Sequence, residues 1–120
     1  MERIEIEASD MNPLVRMETT GDIYFSGRSM MEDASSFYAP VHKWLEAYMA
    51  NANSGIVVHC DLSYFNSSSA KQLLKVLMTI DDSDVNAKVI WHYPKENDVL
   101  YDRGAELAIM VDIPFEFSEK

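Results

Sequence analysis

Gly55-Ile56-Val57-Val58-His59-Cys60-Asp61-Leu62, followed after Ser63 by Tyr64-Phe65-Asn66-Ser67-Ser68-Ser69-Ala70-Lys71, is the stretch in which the periodicity of the chain changes. The first block is apolar and β-branched, as expected of a buried strand. Beyond the serines, Ala70, Leu73, Leu74, Leu77 and Ile80 recur at helical spacing. The serines therefore stand where a strand turns into a helix. Asn66 suits the N-cap, because its side-chain oxygen can accept a free N–H of the first turn. Ser69 occupies the position where a capping box would need Glu or Gln.

The first turn of a helix presents unpaired N–H groups and the positive end of the dipole. A dianion placed there is partly compensated. Ser67, expected at the first helical position, is therefore a tolerable site for a phosphoryl group. It equally suits a serine that only helps to start the helix, and the residue type alone leaves both readings open.

The 120 residues fit one domain, 1–120, with one core. Ten basic residues against twenty acidic ones give a net charge of −10. That balance argues against nucleic acid and against an anionic membrane surface, both of which are bound through Lys and Arg. Cys60 is the sole cysteine, so no intrachain disulfide can form, which fits a reducing compartment. The start, Met1-Glu2-Arg3-Ile4-Glu5-Ile6-Glu7, lacks the basic and apolar regions of a signal peptide. No apolar run approaches the ~20 residues of a membrane span. The expected location is the cytoplasm.

On the N-terminal side, Ile4–Glu7 alternates as a short strand, and Leu14–Glu18 and Ile23–Gly27 flank a Gly-containing turn, which predicts a hairpin. Whether Ile4–Glu7 continues the Leu14 strand or stands apart is open at this level. Phe37, Val41, Trp44, Leu45, Tyr48 and Met49 predict an amphipathic helix capped by Ser35 or Ser36, with Pro40 near its first turn and its end in the 51–55 segment. On the C-terminal side, the acids Asp81, Asp82 and Asp84 sit badly with a helix C-terminus, which suggests that the serine-led helix ends near Thr79. Lys88–Tyr93 reads as a strand, residues 96–108 as a weak helix containing Gly104, and Ile113–Phe117 as a last strand whose proline points to a sheet edge. The expected fold class is α/β: a mixed sheet with an N-terminal hairpin followed by three αβ units.

His59-Cys60-Asp61 resembles a catalytic cluster only on paper. Side chains alternate along a strand, so Cys60 faces away from its neighbours and reads as a small buried hydrophobe. His59, Asp61 and His92 would make a metal or ligand site if neighbouring strands aligned them, but no spacing signature supports one. Around Ser67 there is no Gly-x-Ser-x-Gly elbow, and the four glycines form no phosphate-binding loop. The eight methionines suit either an adaptable contact surface or core filling. The expectation is a protein without catalytic residues, cofactor or metal. The alternative is a small metal- or ligand-binding domain or enzyme using His59, Asp61 and His92.

The segment from Asp61-Leu62 through Asn66-Ser67-Ser68-Ser69-Ala70-Lys71 resembles the acceptor region of the SiaC family of regulatory phosphoproteins. Ser26-Gly27-Arg28-Ser29, Trp44-Leu45-Glu46-Ala47-Tyr48, Trp91-His92-Tyr93 and Pro114-Phe115 add matches, so the resemblance spans nearly the whole chain. It implies a STAS-like fold related to anti-sigma factor antagonists, and a partner switch. In such a switch a serine/threonine kinase with a histidine-kinase-like ATPase domain phosphorylates the residue after the Asn, and a PP2C-type phosphatase reverses this. The unphosphorylated form binds and activates a diguanylate cyclase that makes cyclic di-GMP, or a similar signalling target. By position the acceptor is Ser67, with Ser68 as rival and Ser69 beside it. The implied partner surface is Tyr64, Asn66, Ser67, Ser68 and Lys71.

Overall fold

The structure, a computed structural model, describes residues 1–51 and 54–120. In chain order these form β1 (Ile4–Ile6), β2 (Leu14–Met17), β3 (Asp22–Ser29), α1 (Ala34–Ala50), β4 (Ile56–Phe65), α2 (Ser67–Asp81), β5 (Ala87–Tyr93), α3 (Asp98–Ile109) and β6 (Phe115–Glu119). The six strands lie in one sheet in sequence order. β1, β2 and β3 pair antiparallel, and β3 to β6 pair parallel. This is the mixed α/β sheet that the alternation of strand and helix patterns predicts. β1 is a separate strand that pairs with β2, which resolves the question left open for Ile4–Glu7. Residues 52 and 53 of the expected 51–55 helix end lie outside the described residues.

One face of the sheet is buried. Val15, Met17, Ile23, Phe25, Ile56, Val58, Cys60, Leu62, Val89 and Trp91 alternate along their strands and meet Tyr38, Val41, Leu45, Leu73, Val76, Leu77 and Ile80 of α1 and α2. Leu74 is partly buried, packs against this core and lines a groove together with Phe65 of β4 and Leu107 of α3. The opposite sheet face carries a register row of Glu5, Arg16, Tyr24, His59, Ile90 and Glu116. Its polar members stay partly exposed.

Three local expectations are corrected. α1 is capped by Asp33, not by Ser35 or Ser36: the Asp33 carboxylate accepts the Ser36 amide at 3.1 Å and both serine hydroxyls at 2.9 and 2.6 Å. One carboxylate thus gathers three donors where a serine oxygen would take the amide alone, and those bonds hold its own pKa below the usual range. The earlier cap places Pro40 in the second turn, on the exposed side, where the missing amide bond faces water. α2 runs to Asp81 rather than stopping near Thr79. The Asp81 carboxylate is used there, accepting the Asp112 amide at 3.1 Å, and Ser83 Oγ closes the turn onto Ile80 O at 2.6 Å. Pro114 immediately precedes the edge strand β6, and its carbonyl accepts Val89 N at 2.9 Å.

Candidate functional site

The geometry of the turn into α2 begins with a break in β4. Its even-numbered residues face the core as far as Leu62, and unbroken alternation would then turn Tyr64 inward and Phe65 outward. The register between β3 and β4 shifts after Gly27, which pairs with Leu62 while Arg28 pairs with Tyr64. Ser63 is the extra residue of this bulge, and its hydroxyl donates to Gly27 O at 3.2 Å. Gly27 adopts φ +105, a conformation that side chains other than hydrogen disfavour. The bulge buries Phe65 and leaves Tyr64 49% exposed at the start of the turn. Asn66 then caps α2 as expected, its Oδ1 accepting the Ser69 amide at 2.9 Å.

The three serines, equivalent on paper, have three different environments. Ser67 is exposed at the first position of α2. Ser68 is half-buried, and its hydroxyl donates to Glu32 O at 3.4 Å. Ser69 is fully buried. Its hydroxyl donates to Ser29 O at 2.9 Å and accepts from Ser29 Oγ at 2.7 Å. Ser29 Oγ shares a further hydrogen bond with Tyr38 OH at 2.8 Å. Burial pushes the Tyr38 phenol up to about 12, with the Ser29 bond partly opposing the shift. Ser69 is thus sealed from any enzyme in the folded protein, whereas Ser67 faces solvent.

Lys71, one turn beyond Ser67, is exposed beside a groove of about 200 Å3 between α2 and α3. Phe65, Leu74, Leu107 and Met110 line it, together with Arg103. The Arg103 guanidinium stands 3.9 Å over the Phe65 ring and donates to the Phe65 carbonyl. Arg28, Lys71 and Arg103 thus place three cations around the end of the sheet where α2 starts, in a chain of net charge −10. Sequence patterns do not mark Ser29, Met31, Glu32, Tyr38 and Arg103 as site residues. Each reaches the turn through tertiary contacts with residues far away in the chain, a signal that local patterns do not carry.

His59, Asp61 and His92 do share a shallow depression of about 250 Å3 on the open sheet face. His59 and Asp61 are engaged separately. His59 stacks on Tyr24 with ring centroids 4.3 Å apart and lies 3.3 Å from Asp22 Oδ1. Asp61 pairs with Lys120. Among the described residues no three His, Cys, Asp or Glu side chains are grouped to hold a metal ion. Cys60 is buried on the opposite face, where desolvation pushes its thiol up to about 12, the wrong direction for a nucleophile. No helix among the described residues is long and apolar enough to cross a membrane.

A mixed six-stranded sheet with three helices and an exposed serine at the start of α2 defines a small α/β domain. The chain belongs to the SiaC family of regulatory phosphoproteins, whose family profile matches residues 6–120. An uncharacterized protein of Pseudomonas aeruginosa is 24% identical over 112 residues, covering 90% of this chain and 86% of that protein. Among solved structures, SiaC of Pseudomonas aeruginosa superposes with a TM-score of 0.91 at 20% identity, over 100% of both chains. A chain in the crystal structure of the diguanylate cyclase SiaD in complex with its activator SiaC, from the same organism, gives a TM-score of 0.92 at 20% identity, covering 98% of this chain and 99% of that one. At such identity the structures establish a shared fold.

Proposed function

We propose that residues 1–120 act as one cytoplasmic regulatory domain, a phosphorylation-controlled partner switch without turnover of its own. The acceptor is Ser67, and Tyr64, Asn66, Ser67, Ser68 and Lys71 form the partner surface. The observation that carries this reading is the contrast among the three serines: Ser67 exposed at the head of α2, Ser68 turned to Glu32, Ser69 buried. A serine/threonine kinase with a histidine-kinase-like ATPase domain transfers the γ-phosphoryl group of ATP. The Ser67 Oγ–P bond forms as the β–γ bond of ATP breaks, ADP leaves, and the hydroxyl proton is released. A PP2C-type phosphatase hydrolyses the ester.

The unphosphorylated form binds a diguanylate cyclase or a similar signalling target. Family membership supports this partner class, as does the shared fold with the SiaC activator of SiaD. Phosphate adds a charge of about −1.5 to −2. Within the protein the N-terminus of α2 tolerates that charge. Against a docked partner it adds bulk and an anion that must be desolvated, so the partner is released.

Intact-mass analysis of the protein purified from its own cells, with peptide mapping, tests the assignment. One phosphate on Ser67, absent from Ser67→Ala, is the expected result. Phosphate on Ser68 with Ser67 bare would overturn it.

A further inference from the structure

Ser29 and Ser69 are the buried polar residues among the described core, and both are fully buried. Their hydroxyls form a chain with Tyr38: Tyr38 OH and Ser29 Oγ share a hydrogen bond at 2.8 Å, Ser29 Oγ donates to Ser69 Oγ at 2.7 Å, and Ser69 Oγ donates back to Ser29 O at 2.9 Å. Every hydroxyl in the chain is satisfied. The three residues come from α1, the end of β3 and the first turn of α2. Met31 Sδ lies 3.7 Å from Ser29 Oγ and 3.6 Å from Ser69 Oγ, so the thioether flanks the junction. Around this core the same two segments are joined again by Asn66 N to Ser29 O at 3.0 Å and Asn66 Nδ2 to Met31 O at 3.1 Å.

Replacing Ser29 and Ser69 with apolar residues of similar size would be tolerated by the surrounding core, and removing both partners of a buried hydrogen bond together can be nearly neutral. The network therefore adds little that packing could not supply in stability. What it supplies is geometry: buried, fully satisfied networks fix one arrangement.

The geometry points to Ser69, with Ser29 and Tyr38, as the positioning residue of the acceptor turn. Resting on the reading of Ser67 as acceptor, this buried hydroxyl chain holds the head of α2 against residues 29–32, so that Ser67 alone is presented while Ser68 stays turned to Glu32. A kinase then meets a preorganised hydroxyl and does not itself bear the cost of ordering the turn. Loss of the chain lets the turn open and Ser68 compete.

The test uses the triple variant Ser29→Ala, Tyr38→Phe, Ser69→Ala, which removes all three hydroxyls together, with Ser69→Ala alone as the second variant should the triple fail to fold. Two readouts are taken. Hydrogen exchange of the Ser69 and Ala70 amides, which are bonded to Asn66, should accelerate about tenfold in the purified protein while α1 and β4 exchange as in wild type. With a desalted lysate of the protein's own cells and magnesium ATP as the kinase source, the apparent KM should rise about three- to tenfold with kcat little changed, and phosphate should appear on Ser68 as well as Ser67. A purely structural role would lower the melting temperature and leave the KM and the Ser67-to-Ser68 ratio unmoved. A folded variant with wild-type exchange at Ser69 and Ala70 and a wild-type ratio overturns the inference. Wild-type protein left unmodified at Ser67 would instead remove the acceptor reading, and the exchange readout, which needs no kinase, tells the two failures apart.

Discussion

Asn66 and Ser69 close the first turn of α2 on each other: Asn66 Oδ1 accepts the Ser69 amide at 2.9 Å, while Asn66 Nδ2 reaches back to Met31 O at 3.1 Å. One side chain therefore both caps the helix and ties it to the loop after β3. Asn66→Ala should lower stability by about 1–2 kcal/mol, since a cap and a loop contact go together. Asn66→Asp retains the acceptor and should recover roughly half of that loss. Urea denaturation of the three proteins measures it, and an Asn66→Ala midpoint equal to wild type would show that the cap contributes nothing.

Gly104 sits where α3 crosses Trp91. A Cβ at this position would overlap the indole ring, which also donates from Nε1 to Leu100 O at 3.1 Å. Gly104→Ala gains helix propensity but forces α3 away from β5. The expected net result is destabilisation by about 1–3 kcal/mol, with a change in Trp91 fluorescence. A stabilised Gly104→Ala protein would contradict the close approach.

Leu77 and Met78 are neighbours in α2 with opposite environments, 3% and 40% exposed. Leu77→Ala should cost about 2–5 kcal/mol. Met78→Ala should stay within about 0.5 kcal/mol of wild type. Equal losses at the two positions, read from chemical denaturation, would mean that the buried face of α2 has been misassigned.

Burial raises the Cys60 thiol from its ordinary 9.0 to about 12, and the Tyr38 phenol from 10.0 to about 12. Both groups keep their protons longer in the folded state than in the unfolded one. Their contribution is therefore fully present below pH 9 and is lost as pH rises toward about 12, because the unfolded chain ionises first. Each group should add a slope of about 1.4 kcal/mol per pH unit within its window. Unfolding free energies measured from pH 8 to 11 should flatten in a Cys60→Ala, Tyr38→Phe double variant. An unchanged slope would place the alkaline sensitivity elsewhere.

Much of this architecture is legible in the sequence, because it rests on periods. The apolar run at 55–62, the three-and-four spacing after Ala70 and the alternation near Ile4 mark elements that the structure contains. The misplaced details are those where a side chain from outside the local pattern decides. Asp33 outcompetes Ser35 and Ser36 as a cap because it gathers three donors. Asp81 remains helical because the amide of Asp112, distant in sequence, uses its carboxylate. At the site, Asn66 and the helix start follow from residue type and spacing, whereas the ranking of the three serines does not. That ranking depends on the bulge at Ser63, which turns Phe65 inward, and on Ser29 and Tyr38, which capture Ser69 from distant elements.

Removing the Ser67 hydroxyl and adding charge to it should have opposite consequences for a bound partner. Ser67→Ala should retain binding and abolish modification. Ser67→Asp should weaken binding only partly, because one carboxylate carries less charge than a phosphate. Comparable affinities for Ser67→Asp and wild type, with Ser67→Ala losing its partner, would mean that the hydroxyl itself is the docking contact and charge is irrelevant.

The most direct measurement is the equilibrium affinity of a diguanylate cyclase partner from the same cells for two purified forms of the protein, one unphosphorylated and one carrying phosphate on Ser67, by titration calorimetry at fixed salt. The expected result is tight binding of the unphosphorylated form and at least a roughly tenfold loss on phosphorylation. Equal affinity of the two forms would contradict the switch, even with Ser67 correctly identified as the acceptor.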